Sequence, residues 1–441
     1  MGTFPPFLPR LSLYDPAESS EGSIDPLGLA QLATNLADRL VPGFTERSRR
    51  PRFLVALAVG SRLLERAEYP GGTYGDHQDG PANIAFERLL LEAFAHCERP
   101  DERELVGTPG IGKAREARRS GIRLSSGRYL VAPGAVGLWV AYKRLAQELG
   151  ILDENGHLLE GGYELLRAWE QGCRRPGILT GRDTSFAEKL DAALRPLLGE
   201  RDGGRQPVQV WKELHAMLRP KGLTRSEGRV LRRLLFEGNP DRRLVFEALE
   251  GQRGDPRLLE KEEVSVLRSL QRTGRGAMVS SVRAILAYEA VAVILLRAFD
   301  CIRFAASRRT DGRVDAVGIS TDEEVGGDFS AVPEDLRSAL ARALPLLAAT
   351  GEDSRIALEW LTGDSLDSSS ALFEAMLQRH FEIQRSKPPD GKRPWIEGDG
   401  GGYFVRTRYV LEEAPSKASI VHPYRTRSVR YTLKDLWRSG V

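Results

Sequence analysis

Apolar residues recur every three or four positions through most of the chain, and this spacing predicts amphipathic α-helices. Asp25-Pro26 supplies an N-cap residue and a first-turn proline, so a helix is predicted to begin there and to end at Pro42. The next helix starts near Pro51 and is apolar on all sides over Phe53–Val59, which predicts a core helix. The pattern therefore predicts a mainly helical protein.

The same spacing predicts a series of further helices. They cover residues 81–97, 136–149, 162–171, 184–199, 207–218, 225–237, 241–251, 258–272, 278–307, 333–349, 354–362 and 367–385. Thr224 and Glu227 have the spacing of a capping box at the start of one of these helices. Residues 310–332 are polar and are predicted to form a loop. No fixed-period repeat is present, which disfavours a solenoid.

The C-terminal segment changes character, because prolines and glycines at 388, 389 and 400–402 break helices. Tyr403–Leu411 is rich in aromatic and β-branched residues and predicts a strand, and 421–431 predicts a second extended stretch. The predicted fold class is mainly α, with multi-helix N-terminal and middle regions and a small C-terminal β element, hence α+β overall. Three domains are predicted, over residues 1–175, 176–385 and 386–441.

Composition indicates a soluble globular protein, with 41% hydrophobic and 28% charged residues. The 64 basic and 61 acidic side chains leave a net charge of only +3, so anion binding would depend on local patches. Cys97, Cys173 and Cys301 are too far apart for a disulfide framework or a CxxC zinc site, as expected in the cytoplasm. No targeting segment is visible. The longest apolar stretch, 284–296, is too short to span a bilayer and contains Glu289, which predicts a buried helix.

One segment resembles a phosphate-binding loop. Gly107-Thr-Pro-Gly-Ile-Gly112-Lys113-Ala114 matches G-x-x-x-x-G-K, but Ala114 stands where Ser or Thr would ligate Mg²⁺. The preceding Arg103–Val106 is short and charged, whereas a P-loop follows a buried strand. A Gly-rich turn is the favoured interpretation, and a nucleotide site at Gly107, Gly112 and Lys113 is the alternative.

Acidic residues give only weak indications of metal chemistry. Asp76, His77 and Asp79 share one Gly-rich loop and could supply hard ligands, although exposed turns favour the same residues. Glu397 and Asp399 suggest a nuclease carboxylate pair, but the Lys expected at that spacing is missing. No Ser-His-Asp arrangement can be traced. We therefore expect no metal and no cofactor.

Arginine clusters are the more informative signal, because guanidinium groups bind phosphates. The candidate nucleic-acid-binding residues are Arg47, Arg49, Arg50 and Arg52, then Arg115, Arg118 and Arg119, and finally Arg406, Arg408, Arg425 and Arg427. On a helix the second group would share one face, and on strands the i, i+2 pairs of the third group would point the same way. Asn and Gln are sparse around the first and third groups, which argues against base readout. The alternative interpretation is a solvated face with internal ion pairs.

Three short stretches resemble a bacterial family. They are D-P-L-G at 25–28, L-V-P-G at 40–43 and T-x-R-x-R-R-x-R-F at 45–53, followed by a similar section within 132–150. Members are often encoded in anti-phage defence islands beside helicases, nucleases or methyltransferases. Phe53 stands where Tyr is common in the family. The resemblance covers about 150 residues and implies a defence-system subunit, without catalytic residues to transfer.

The first functional hypothesis is a non-catalytic, nucleic-acid-engaging or scaffolding subunit of a bacterial anti-phage defence complex. Its partners would be nucleic acid, chiefly DNA bound without sequence preference, and a defence protein such as a helicase or nuclease. An enzyme is the alternative, either a degenerate P-loop nucleotide hydrolase or a metal-dependent nuclease. A purely protein-binding adaptor is the third possibility. In each case we expect a cytoplasmic protein that does not engage a membrane.

Overall fold

The computed structural model describes most of the chain. The described residues are 25–66, 82–98, 108–124, 137–175, 177–181, 185–198, 208–309, 312–351, 353, 355–387, 391–398 and 402–441. Several residues singled out above lie outside these ranges, namely Asp76, His77, Asp79, Gly107, Pro388, Pro389, Asp399, Gly400 and Gly401.

The described residues confirm the predicted fold class, because they are mainly helical and include a small antiparallel sheet. The helices are α1 (Ala30–Leu40), α2 (Arg52–Arg66), α3 (Ala82–Cys97), α4 (Ile111–Arg119), α5 (Leu138–Glu148), α6 (Glu160–Gly172), α7 (Ser185–Leu198), α8 (Val208–Leu218), α9 (Arg225–Glu237), α10 (Pro240–Glu250), α11 (Glu263–Thr273), α12 (Gly276–Arg308), α13 (Ala316–Ser320), α14 (Gly326–Thr350), α15 (Arg355–Leu358), α16 (Ser369–Ser386) and α17 (Thr426–Arg438). The strands are β1 (Arg313–Val314), β2 (Ile396–Gly398) and β3 (Tyr403–Val405).

Side-chain caps explain where several helices begin. The Asp25 carboxylate accepts hydrogen bonds from the backbone N–H groups of Leu29 (2.9 Å) and Ala30 (2.8 Å), so α1 begins at Ala30, later than predicted. The predicted capping box is confirmed. Thr224 Oγ1 accepts from the Glu227 N–H at 3.3 Å, and Glu227 Oε2 accepts from the Thr224 N–H at 2.6 Å.

The predicted loop over 310–332 is wrong for its described part. This segment contains β1, α13 and the first turns of α14. Asp315 caps α13, because its carboxylate accepts a hydrogen bond from the Gly318 N–H at 2.6 Å. Polar composition therefore marked helix starts here rather than an irregular loop.

The C-terminal segment is only partly extended. β3 lies between β1 and β2, and Phe404 pairs with Arg313 on one side and with Glu397 on the other. The predicted strand over Tyr403–Leu411 ends early, because Thr407–Tyr409 is a short 3-10 helix. The predicted extended stretch over 421–431 is wrong, since α17 begins at Thr426.

The chain divides into two compact units, and each is built from segments that are distant in sequence. Unit one comprises Met1–Ala37, Glu263–Arg272 and Gly276–Pro423, and unit two comprises Asp38–Glu262, Thr273–Arg275 and Tyr424–Val441. The boundary predicted near residue 175 lies inside unit two, and the one near 385 lies inside unit one.

Unit one is organised around α12, which packs against α14 and against the sheet strands β1 and β3. Glu289 lies in the middle of α12, is 2% exposed, and accepts a hydrogen bond from the Val421 N–H at 2.5 Å. Its other carboxylate oxygen lies 2.7 Å from His422 Nδ1. By length and composition alone α12 could cross a membrane, but half of its most apolar window is buried inside the protein. The predicted buried central helix is confirmed.

Unit two has its core at α2, which packs against α3, α5, α6 and α8. Every side chain from Phe53 to Val59 is buried, as the apolar pattern predicted. Loops are fixed to this core by buried carboxylates. Glu87 accepts hydrogen bonds from the Leu138 and Trp139 N–H groups, which start α5. Glu170 accepts three backbone N–H bonds from the turn over 177–180.

Candidate nucleic-acid interface

Arg52 is an internal arginine of unit two. Its guanidinium donates hydrogen bonds to the carbonyl oxygens of Met217 (2.7 Å) and Arg219 (2.9 Å), and it forms an ion pair with Glu227 at 3.4 Å. Arg52 is 2% exposed and Glu227 is fully buried. A phosphate in solution cannot reach this guanidinium. Arg52 therefore stabilises the fold, and it is not a candidate for nucleic-acid binding.

Arg50 has the same structural role. Its Nη1 lies 3.1 Å from both carboxylate oxygens of Asp435 on α17, and its backbone N–H donates to the Tyr142 hydroxyl at 2.7 Å. Arg50 and Asp435 are each 3% exposed. Burial raises the pKa of the Asp435 carboxyl, and the adjacent Arg50 opposes that rise. The pair attaches the arginine-rich segment 46–50 to α17.

The exposed face of α17 carries three cations and one tyrosine in a row. Arg427, Tyr431, Lys434 and Arg438 follow one another at intervals of four, three and four residues. At 100° per residue they fall within an arc of about 60°, and the row is about 16 Å long. Arg427 and Arg438 are exposed, while Tyr431 and Lys434 are half-buried. The opposite face consists of buried side chains, Val429, Leu433 and Leu436 among them.

The segment 46–50 lies beside this row and adds to it. Glu46 Oε1 accepts a hydrogen bond from the Arg425 N–H at 2.6 Å, at the start of α17. Arg49 donates from Nε to the Glu46 carbonyl at 2.9 Å, and its guanidinium lies 6.0 Å from the Tyr431 ring centre. Arg47 is exposed. We call the resulting surface the basic ridge, formed by Arg47, Arg49, Arg427, Tyr431, Lys434 and Arg438.

The ridge keeps a positive surface because the carboxylate beneath it is buried. Asp435 accepts from Arg50 and lies 3.4 Å from Arg438, whose side chain is still half exposed. The exposed Lys221 also lowers the pKa of the Asp435 carboxyl, which places this lysine near the same end of α17. Within the described residues, the Arg47, Arg427 and Lys434 side chains form no hydrogen bond or ion pair. Their charges are therefore available to an anion.

Arg425 and Arg427 do not form the strand pair that the sequence predicted. Arg425 is the N-cap of α17, with a left-handed φ of 64°, and its guanidinium is ion-paired with Asp38. It is buried, whereas Arg427 lies in the first turn of the helix and is exposed. Only Arg427 of this pair belongs to the ridge.

Arg406 and Arg408 belong to unit one and are not an alternating strand pair either, because β3 ends at Val405. The Arg406 guanidinium lies 5.5 Å from the Tyr409 ring centre and donates to the Pro394 carbonyl at 3.4 Å. Tyr409 stacks on another ring, that of Trp395, at 4.6 Å. Arg406 thus packs the short 3-10 helix in place, and Arg408 is exposed on that helix.

The arginines of α4 act mainly on the end of α3. Arg115 forms an ion pair with Glu98, and Arg118 donates to the Ala95 carbonyl. Cations are favourable at this position because the carbonyl groups at a helix C-terminus have no partner within the helix. Arg119 is exposed. The three side chains that were predicted to share a phosphate-binding face therefore have different roles.

The P-loop-like segment, so far as it is described, is a turn followed by a helix. Gly110 has a left-handed φ of 79°, and α4 begins at Ile111 with Gly112 and Lys113 in its first turn. Lys113 Nζ lies 3.1 Å from the Glu116 carboxylate, and both side chains are exposed. The lysine that would bind the phosphates of a nucleotide is thus ion-paired with a carboxylate. The nucleotide site remains a prediction, because Gly107 lies outside the described residues.

The described residues include no group of three or more His, Cys, Asp or Glu side chains that could hold a metal ion. Glu397, one of the two carboxylates considered for a nuclease, is ion-paired with Arg393. Asp399, the other carboxylate of the predicted pair, lies outside the described residues.

Sequence reasoning missed Lys434 and Arg438, which become ridge residues only because α17 is a helix. A signal was present, since apolar residues at 429, 433 and 436 and charged residues at 427, 434 and 438 recur at three- and four-residue spacing. The prediction of an extended stretch over 421–431 gave more weight to the aromatic and β-branched residues in it. An aromatic and β-branched composition outweighed the helical period.

Comparisons with protein-family models, with curated proteins and with solved structures find no match to this chain. The resemblance to the defence-island family therefore stays a prediction that rests on the short stretches quoted above.

Proposed function

We propose that this protein binds the phosphate backbone of nucleic acid through the basic ridge, without reading base sequence. The observation that supports the proposal is the row of cations on α17, joined by Arg47 and Arg49, above a buried carboxylate. In line with the family resemblance, it would do so as a non-catalytic subunit of a cytoplasmic anti-phage defence complex that also contains a helicase or nuclease.

The chemistry of the ridge fits phosphates better than base edges. Arg and Lys are the main phosphate ligands of DNA-binding proteins, whereas adenine is read chiefly by Asn or Gln. The ridge contains neither Asn nor Gln. Each phosphate contact lowers the slope of log K against log salt by about 0.9 on duplex DNA, so five cations predict a slope of about −4.5.

Charge reversal tests the proposal directly. In Arg427→Glu/Lys434→Glu/Arg438→Glu, the affinity for unrelated DNA sequences should fall by more than about tenfold, and the salt slope should flatten by about three contacts. Fluorescence anisotropy over a salt series measures both quantities. All three side chains are at least partly exposed on one helix face, and thermal denaturation checks that the fold survives the substitutions.

The matched control is Arg268→Glu/Arg342→Glu/Arg385→Glu, which makes the same change of net charge on exposed positions of unit one. It should retain most of the affinity and of the salt slope. The proposal fails if the two triple variants lose the same affinity. It also fails if the folded wild-type protein binds neither DNA nor RNA at about 50 mM salt, where non-specific binding is strong.

A further inference from the structure

We infer that the ligand of the ridge is a duplex rather than a single strand. The inference rests on the proposed function and specifies the substrate class of the same surface. Two properties of α17 support it: its aromatic rings are already engaged by cations, and the helix that carries the row of cations is anchored on its buried side.

Single-strand binding proteins stack bases on open aromatic faces, and each stacked base contributes about 1–3 kcal/mol. Tyr431 is the aromatic residue of the ridge, and the guanidinium groups of Arg50 and Arg49 lie 5.3 and 6.0 Å from its ring centre. Bases would have to compete with these cations for the ring.

The other aromatic ring of α17 is engaged in the same way. Trp437 donates from Nε1 to Glu250 at 3.1 Å, and the Arg253 guanidinium lies 5.9 Å from its ring centre. The helix therefore offers positive charge on its surface, while its two rings are used to position arginines. This arrangement favours contact with phosphates over contact with bases.

The helix that carries the row of cations is also anchored to unit two. On the buried side of α17, Arg430 donates to the carbonyl oxygens of Leu258 (2.7 Å) and Lys261 (2.8 Å), and Asp435 holds Arg50. A row of cations on an anchored helix gains most from a ligand whose charges are already ordered, because ordering a flexible strand costs conformational entropy.

Charge density also favours a duplex. Counting both strands, duplex DNA carries one charge per about 1.7 Å of its axis, so the length of duplex beside a row of about 16 Å carries roughly nine phosphate charges. Each contact also releases more counterions on a duplex than on a single strand, with slopes of about −0.9 and −0.7 per contact. The same set of cations therefore binds a duplex more strongly.

The experiment compares a short DNA duplex with oligo-dT of the same length, which cannot pair with itself. We expect the duplex to bind at least about tenfold more tightly, with the steeper salt slope. In Tyr431→Leu, which removes the ring and leaves every ridge cation, the affinities for the duplex and for oligo-dT should fall by the same factor to within about twofold, since neither ligand stacks a base on the ring.

The inference is overturned if oligo-dT binds as tightly as the duplex, or if Tyr431→Leu lowers the affinity for oligo-dT about tenfold more than the affinity for the duplex, as the loss of a stacked base would. If oligo-dT binding is abolished by reversing Arg427, Lys434 and Arg438, the proposed function stands and only the duplex preference fails. If neither ligand binds the wild-type protein, the proposed function fails as well.

Discussion

The segment 47–52 and helix α17 use arginine in opposite ways. The segment is dense in arginine, but Arg50 and Arg52 are buried and ion-paired, and only Arg47 is fully at the surface. In α17 the basic residues are scattered through the sequence, yet Arg427, Lys434 and Arg438 converge on one exposed face. Density of charge along a chain therefore does not predict density of charge on a surface.

The difference follows from the location of the acidic partners. Asp435 and Glu227 are distant in sequence from the segment 47–52, and only the fold brings them to Arg50 and Arg52. A buried cation needs such a carboxylate or several carbonyl groups, because desolvation is costly. The outward face of α17 has no acid at 427, 431, 434 or 438, so its cations remain in solvent.

The largest effect should come from Arg52→Ala. It leaves the Glu227 carboxylate buried without its cation and removes two donors from carbonyl oxygens. Breaking a buried pair in this way costs about 3–5 kcal/mol of unfolding free energy, to be measured by urea denaturation. Arg47→Ala is the control and should stay within about 0.5 kcal/mol. Equal effects of the two substitutions would show that the buried Arg52 contributes no more to stability than the exposed Arg47.

His380 of unit one is fully buried, and no carboxylate among the described residues bonds to it. It therefore tests the expectation that a buried titratable group without an opposite charge stays neutral. Its Nδ1 lies 2.9 Å from the Pro26 carbonyl, and its Nε2 accepts from the Trp395 N–H at 2.9 Å, so the ring is neutral with the proton on Nδ1. Burial lowers the pKa of His380 from 6.5 to about 4, and the charges of Lys387 and Arg303 act in the same direction.

Since the folded state has the lower pKa, the stabilisation by neutral His380 is present above pH 6.5 and is lost as the pH falls toward 4. The loss should reach up to about 3 kcal/mol, measured as unfolding free energy at several pH values. His380→Gln retains one donor and one acceptor and should lack this part of the pH dependence. The same pH profile in both proteins would contradict the prediction.

A smaller effect is expected from the coupling of Arg50 with Asp435. Replacing both residues by Ala should destabilise the protein by less than the sum of the two single substitutions, since each single change strands a buried charge. The interaction energy from a double-mutant cycle should be about 0.5–3 kcal/mol. Additive effects would mean that the pair does not attach the segment 47–52 to α17.

The smallest effect concerns the P-loop-like turn. Lys113 is exposed and paired with Glu116, so Lys113→Ala should change neither stability by more than about 0.5 kcal/mol nor any affinity for ATP or GTP. Isothermal titration calorimetry measures the affinity. Micromolar nucleotide binding that disappears in this variant would restore the nucleotide-site alternative.

Local sequence by itself determined most of the helices. Period and caps act over a few residues, so the core helix α2 and the capping box at Thr224 and Glu227 were predicted before any contact was known. The class of the fold follows from the same local information. The exceptions were α17, in which β-type side chains and helical spacing occur together, and the segment 310–332, where α13 and the start of α14 replace a predicted loop.

The tertiary structure alone decided which charges are functional candidates. Whether an arginine is buried depends on an acid or carbonyl that can lie hundreds of positions away, as Asp435 does for Arg50. The sequence also did not predict the two units, because each unit is assembled from distant segments by long-range packing. The basic ridge exists because one face of α17 is covered by the core of unit two while the other face is exposed to solvent. Burial of this kind is a property of the whole fold and not of any single segment.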